Sequence, residues 1–246
     1  MVDLTFLGAG SAFTVSGNNF HSNILIHSRE KNFLIGCGSD IRFSLYDQGF
    51  DFNDIDALYL THLHADQVGG LEWLAFTRMF ASKKPKPRLY IRKDLADVLW
   101  DQILSGGLKS IEGVDVNLST YFDVVEIPSQ GSFTWENLKF TVLSTDNLFE
   151  GLMIDTPESS IYFSGALKVL DHDMKNVYQK AGTIFHACES VWPSDKTFLT
   201  HYENLCVLPV DVRNKMWLYY YKDGTLPNAK EEGFKGFVRR GQRFSL

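Results

Sequence analysis

The stretch Ala57-Leu58-Tyr59-Leu60-Thr61-His62-Leu63-His64-Ala65-Asp66-Gln67-Val68-Gly69-Gly70 decides how this chain is read. The apolar run Ala57–Leu60 has the character of a buried strand, and a helical apolar pattern, Val68–Phe80, follows. Between them stand two histidines and an aspartate at spacings i, i+2 and i+4. A loop leaving a strand lets His62 and His64 point the same way, while Asp66 and Gln67 fall where a helix begins. Neutral imidazole and carboxylate are good ligands for zinc, iron or manganese, so the trio is a candidate site for a divalent metal. A plainer reading competes with it. Asp66 is an ordinary helix N-cap residue, and the histidines are of a type that hydrogen-bonds within loops.

Outward from this loop, short strand-like runs recur at Leu4–Leu7, Asn23–His27, Asn32–Ile35, Arg88–Ile91, Val124–Ile127, Leu138–Leu143, Leu152–Asp155 and Ser160–Phe163. In one of them Leu138, Phe140 and Val142 alternate with Lys139 and Thr141, the mark of a strand buried on one face. Helical patterns occur at Ile41–Gln48, Leu95–Leu104, Met174–Ala181 and Val210–Lys215. Strands interrupted by helices predict an α/β layered architecture. With 246 residues, 44% of them hydrophobic, and no repeat or low-complexity segment, the chain reads as one domain, residues 1–246.

Lysine and arginine number 24 against 30 aspartates and glutamates, a net charge of −6. That balance argues against non-specific nucleic-acid binding, which needs basic surface. Lys83, Lys84, Lys86 and Arg88 form a local basic patch, which Pro85 and Pro87 mark as a solvated loop. Cys37, Cys188 and Cys206 are odd in number and widely spaced, which predicts free thiols in a reducing compartment. The first residues enter a strand pattern without a basic region before an apolar stretch, and no apolar run is long enough to span a membrane. A cytoplasmic location is the expectation.

Taken with its surroundings, Thr61–Gly70 resembles the His-x-His-x-Asp-His loop of the metallo-β-lactamase superfamily. Leu7-Gly8-Ala9-Gly10-Ser11-Ala12 resembles the opening strand and turn of its ribonuclease-Z-like and phosphodiesterase-like members. Phe33-Leu34-Ile35-Gly36-Cys37-Gly38 is similar to their Leu-Ile-Asp-Cys-Gly motif, with Gly36 in place of the aspartate that orients a metal ligand. Ser164-Gly165-Ala166 stands where Ser-Gly-Asp supplies a bridging ligand. Trp217-Leu218-Tyr219-Tyr220-Tyr221 resembles a Trp-Leu-Tyr-His-Tyr strand end. The resemblance implies a four-layer αββα sandwich and seven ligands for two metals. His62, His64 and Asp66 are present. The other positions hold Gln67, Asp146 or Asn147, Ala166 and Tyr220.

A structural zinc site is worth roughly 10–16 kcal/mol over four ligands, so losing two of them costs about 6 kcal/mol. The implied site is degenerate. The leading expectation is a non-hydrolytic binding protein, a pseudoenzyme, with no metal or one weakly held ion of zinc, manganese or iron. Its cleft is expected to be lined by His62, His64, Asp66, Gln67, Asp146, Ala166 and Tyr220. Loss of charged groups predicts a roomier, less polar cleft for a small-molecule or protein ligand.

Two enzymatic alternatives stand beside it. One is a phosphodiesterase acting on nucleotides or nucleic acid, with one metal on His62, His64 and Asp146 and with Asp66 as general base. The other is a redox enzyme using one iron on the same two histidines and Asp146. Without metal, Asp66 needs a partner, and His62 or His64 is the expected one. His201 resembles a helix-start histidine near the family's active site, His21 a loop residue beside it, and His186 a structural histidine. His172, flanked by Asp171 and Asp173, reads as part of a helix cap. Homodimerisation is common among such relatives.

Overall fold

The structure is a computed structural model. It describes residues 2–15, 17–111, 115–144, 150–165, 174–191, 197 and 199–245. Among these residues two seven-stranded sheets face one another. The first contains β1 (Asp3–Phe6), β2 (Ile24–Ser28), β3 (Lys31–Ile35), β4 (Ala57–Tyr59), β5 (Arg88–Arg92), β6 (Asp123–Ile127) and the C-terminal β14 (Arg243–Ser245), in the order β14-β1-β2-β3-β4-β5-β6. The second runs β13-β12-β11-β10-β9-β8-β7. Its strands are β7 (Ser132–Trp135), β8 (Leu138–Ser144), β9 (Glu150–Asp155), β10 (Ser160–Phe163), β11 (Thr183–Ala187), β12 (Met216–Tyr219) and β13 (Gly236–Phe237).

Six helices flank the first sheet: α1 (Ile41–Asp47), α2 (Ala65–Val68), α3 (Leu71–Ala81), α4 (Lys93–Val98), α5 (Ser105–Leu108) and α6 (Leu118–Tyr121). Three flank the second: α7 (Met174–Lys180), α8 (Tyr202–Cys206) and α9 (Val210–Arg213). One buried cluster fills the space between the sheets, and two more lie under the outer helices. This is the four-layer αββα sandwich that the resemblance implies.

Sequence character explains the layers. All three residues of β4 are buried, as befits a parallel strand covered on both faces. Leu138, Phe140 and Val142 turn inward as their alternation predicts. Phe33 and Tyr90 of the first sheet meet Phe133 and Phe140 of the second. Tyr90 stacks on Phe133 at 4.3 Å and Phe33 on Phe140 at 4.7 Å. Such pairs add about 0.5–1.5 kcal/mol each beyond their area.

Three boundaries differ from the sequence expectation. The helix expected over Val68–Phe80 is two, because Gly70 N–H turns aside to donate to Cys37 O at 2.8 Å. The pattern at Leu95–Leu104 starts earlier, at Lys93, passes through a wider π-helical stretch, Leu99–Leu104, and ends at Leu108. Strands β7, β13 and β14 have two to four residues, too few to show a period.

Parallel β3, β4 and β5, and parallel β10, β11 and β12, direct their carboxyl ends to one edge of the sandwich, where α/β proteins place ligands. Cys37, Cys188 and Cys206 are free thiols. Among the described residues, no helix is long and apolar enough to cross a membrane.

His186 ends its strand fully buried, with Nε2 2.8 Å from Tyr178 Oη and Nδ1 2.8 Å from Ala187 O. Burial lowers its pKa from 6.5 to about 4. The unfolded chain therefore binds a proton that the native state rejects, and stability falls as pH drops from 6.5 toward 4. The full effect is about 3 kcal/mol. Denaturant titrations at pH 7 and pH 4.5 are expected to show His186→Gln losing less stability on acidification than the parent chain.

Candidate functional site

Three loops converge at the carboxyl edge, and a buried asparagine holds them together. Asn23 is fully buried. Its Oδ1 accepts the Gly38 N–H, and its Nδ2 donates to Asp66 O at 3.0 Å. A Cβ on Gly38 would collide with that same Asp66 carbonyl, so the two loops touch backbone to backbone. Helix α2 starts at His64, whose extended backbone precedes it, and Asp66 lies in its first turn. Asp66 is therefore not the cap residue. Its side chain points inward and is 1% exposed.

The buried carboxylate finds its partner elsewhere than the sequence suggests. Tyr220 donates its hydroxyl to Asp66 Oδ2 at 2.9 Å, whereas His62 Nε2 stands 3.9 Å from Oδ1. Tyr220 follows β12 with φ +59, a left-handed conformation that costs a non-glycine residue roughly 1–2 kcal/mol. Desolvation first, and the neighbouring Asp66 charge second, push its phenol far above the ordinary range. The hydroxyl stays protonated and acts as a donor, not as an anionic ligand.

Gln67 has an equally definite task. Thr61 Oγ1 donates to Gln67 Oε1 at 3.1 Å and lies 2.8 Å from His62 Nδ1. With its proton directed to Gln67, the hydroxyl accepts Nδ1–H and leaves Nε2 as the lone-pair nitrogen facing Asp66. Burial lowers the His62 pKa to about 4, with His64 adding a smaller push in the same direction against the Asp66 charge. The Gln67 amide also occupies the space where a side chain at residue 36 would lie. A Cβ on Gly36, which has φ +78, would meet Oε1 at 2.7 Å.

Among the described residues, His62, His64 and Asp66 offer ligand atoms that all lie within 4.8 Å of one another. Metal bonds of about 2.0–2.2 Å set ligand atoms about 3–4 Å apart, so a small closure fits the trio to one ion. Asp66 Oδ1 is buried with no hydrogen-bond partner, which leaves a lone pair for that ion. Its other oxygen, Oδ2, already accepts the Tyr220 hydroxyl. Asp146, Asn147, Ala166 and His172 lie outside the described residues.

Comparisons with known proteins identify the family and the fold. The family model described as Anti-Pycsar protein Apyc1 matches residues 2–244. The chain belongs to the Apyc1 family. An Anti-Pycsar protein Apyc1 of Paenibacillus sp. (strain J14) is 30% identical over 250 residues, 99% of this chain and 98% of the relative. The metallo-beta-lactamase fold protein YhfI of Bacillus subtilis superimposes with TM-score 0.74 at 15% identity, covering 99% of this chain and 98% of that one. Human tRNase Z, short form, gives TM-score 0.71 at 16% identity, covering 99% and 98%. The fold is that of the metallo-β-lactamase superfamily, with ribonuclease-Z-like neighbours.

In this Apyc1-family chain the space beneath the trio is small. A cavity of about 30 Å³, room for one or two waters, is lined by His62, Thr61, Gln67, Glu150, Tyr219, Tyr220 and apolar side chains. Among the described residues the Gln67 amide and the Tyr220 ring narrow this cavity. His62, Gln67 and Tyr220 line this cavity together. Asp66 lies against it, and His64 stands exposed at the rim. His201 is not among the lining residues. Its Nδ1 accepts the Glu203 N–H at 3.3 Å and caps α8. His21 sits behind the loop, its N–H donated to Asp40 Oδ2 at 2.8 Å.

Glu150 is a lining residue that no motif reveals, and Thr61 and Tyr219 lie within motifs that did not single them out. Glu150, 1% exposed, accepts from Arg92 Nη1 at 2.5 Å and from Tyr59 Oη at 2.7 Å. The sequence signal is a charged residue at a strand end on each side, Arg92 closing β5 and Glu150 opening β9. Only the fold brings them together. Removing one member of a buried pair leaves an uncompensated charge, so Glu150→Leu is expected to lower stability by roughly 3–5 kcal/mol. Chemical denaturation of Glu150→Leu, with Arg92→Met added in a double variant, checks this. The double variant is expected to regain most of the loss.

Proposed function

We propose that this Apyc1-family protein acts by binding a small ligand at the mouth of the former metal cleft, without two-metal hydrolysis. The observation that supports this reading is the Tyr220 hydroxyl on Asp66 Oδ2. Two-metal catalysis needs ions about 3.5–4 Å apart, with shared and terminal anionic or imidazole ligands. Here the second position holds a neutral phenol that contributes a hydrogen instead of a lone pair. Gln67 supports the same reading, since its oxygen is taken up by Thr61. The relatives bear the name Anti-Pycsar, and on this reading the chain serves that end by holding a ligand. On this reading the ligand lies over the rim of the cavity, against the exposed His64.

A second reading rests on a separate observation: the His62, His64 and Asp66 ligand atoms within 4.8 Å of one another. In it the chain is a mononuclear phosphodiesterase on nucleotides. His62, His64 and Asp66 would hold the ion, which when bound would polarise a phosphoryl oxygen or lower the pKa of a water. If Asp66 is instead released from the ion, its carboxylate is the available general base, and Tyr220 then orients it.

One experiment separates the readings. Protein purified without chelator is analysed for metal, and titrated calorimetrically with 3′,5′-cyclic and linear nucleotide phosphodiesters, with and without added Mn²⁺ or Zn²⁺. The binding reading expects metal well below stoichiometry and saturable binding with no product. Near-stoichiometric metal, with turnover that His62→Ala abolishes, would establish the hydrolase instead. Absence of both binding and turnover across that panel would remove nucleotides from either reading.

A further inference from the structure

The loop Lys83-Lys84-Pro85-Lys86-Pro87-Arg88 is more than a solvated connection. It folds over Arg78 of α3 and closes one wall of a cavity of about 390 Å³. The cavity lies at the amino ends of β3, β5 and β6, at Lys31, Arg88 and Asp123. Arg88 faces it, whereas Arg92, four residues further along β5, reaches the cleft floor. At about 3.3 Å per residue the two places are some 13 Å apart along the strand.

Five cations line this cavity: Lys31, Arg78, Lys84, Lys86 and Arg88. Three carboxylates also line it: Asp56, Asp123 and Glu136. Two of the cations are matched, Lys31 by Glu136 at 2.6 Å and Arg88 by Asp123 at 2.8 Å. The other three hydrogen-bond to neutral carbonyls, with Asp56 and Asp51 near enough to act on the Arg78 charge. Lys84 Nζ donates to Asn53 O at 2.7 Å and Lys86 Nζ to Ser119 O at 2.6 Å, while Arg78 donates to Phe52 O, Asn53 O and Pro85 O. A carbonyl fixes a cation without cancelling its charge. Asp56 is the remaining carboxylate, and one of its oxygens accepts the Asn32 N–H at 2.9 Å.

Arg78 supplies a second, independent observation. It is only 6% exposed, and its Nε–H has no hydrogen-bond partner. Arg78 thus brings to the cavity wall a guanidinium whose hydrogen-bonding capacity is not fully used among the described residues. Pro85 and Pro87 restrict the loop that carries Lys84 and Lys86, which reduces the ordering cost of binding.

We propose that the Arg78, Lys84 and Lys86 cavity is an anion site for a small phosphorylated molecule, separate from the metal cleft at the other end of the strands. Its volume suits one small ligand. Extended nucleic acid fits poorly, because it needs a broad basic surface and the chain carries a net charge of −6.

Calorimetric titration with inorganic phosphate and pyrophosphate tests the assignment, using the parent chain, the Lys84→Gln/Lys86→Gln double variant and His62→Ala. Both lysines are exposed, so the double variant is expected to melt at the temperature of the parent. The expected result is saturable, salt-sensitive binding that weakens by about tenfold or more in the double variant and is unchanged in His62→Ala. Arg88→Gln provides a further variant and is expected to weaken binding less. No saturable binding of either anion would overturn the proposal. So would binding that survives the double variant, or that is lost in His62→Ala. Saturable binding of a single-stranded oligonucleotide in place of the small anions would overturn it in favour of a nucleic-acid surface.

Discussion

A carboxylate buried between two sheets has to be matched or neutralised, and Glu150 is matched from the opposite sheet. Arg92 and Tyr59 close the first sheet's strands at the carboxyl edge, and both reach across to the residue that opens β9. This contact draws the sheets together where the aromatic stack of Phe33, Tyr90, Phe133 and Phe140 ends. It also sets the height of Thr61 and His62, which follow Tyr59 directly. The loop that carries His62, His64 and Asp66 thus starts from a position fixed by charge, and Asn23 then fixes its far side.

On that frame, hydrogen bonds hold the polar groups of the loop. Tyr220 satisfies one oxygen of Asp66, while Thr61 and Gln67 orient His62. The substitutions support one another. A neutral amide next to a neutral imidazole, and a phenol on the Asp66 carboxylate, keep the buried charge of the loop low. The same arrangement leaves Asp66 Oδ1 and the lone pair of His62 directed toward one another, so a single cation is still accommodated.

Much of the fold was legible because its signals are local. The spacing in Thr61–Gly70, the alternation through Leu138, Phe140 and Val142, and the turn after Ile35 depend on neighbours in the chain. The site was legible in membership and less so in geometry. His62, Gln67 and Tyr220 do come together, but the partner of Asp66 lies 154 residues away, and no periodicity reports that distance. The expectation of an enlarged cleft also involves Asp146 and Ala166, which lie outside the described residues. Glu150 and Arg92 carry no motif, and the proline-lysine loop reads as solvated until Arg78 is seen beneath it.

Gly36 and Gln67 also impose a direction on change in this lineage. An acidic side chain at 36 meets the Gln67 amide and an unfavourable backbone angle at once. A histidine at 67 gains no acidic neighbour to steady it and removes the acceptor that orients His62. Each single step back toward a charged centre is thus opposed by a residue already in place. The two positions act as one unit, so a change at either is accommodated only when the other changes with it.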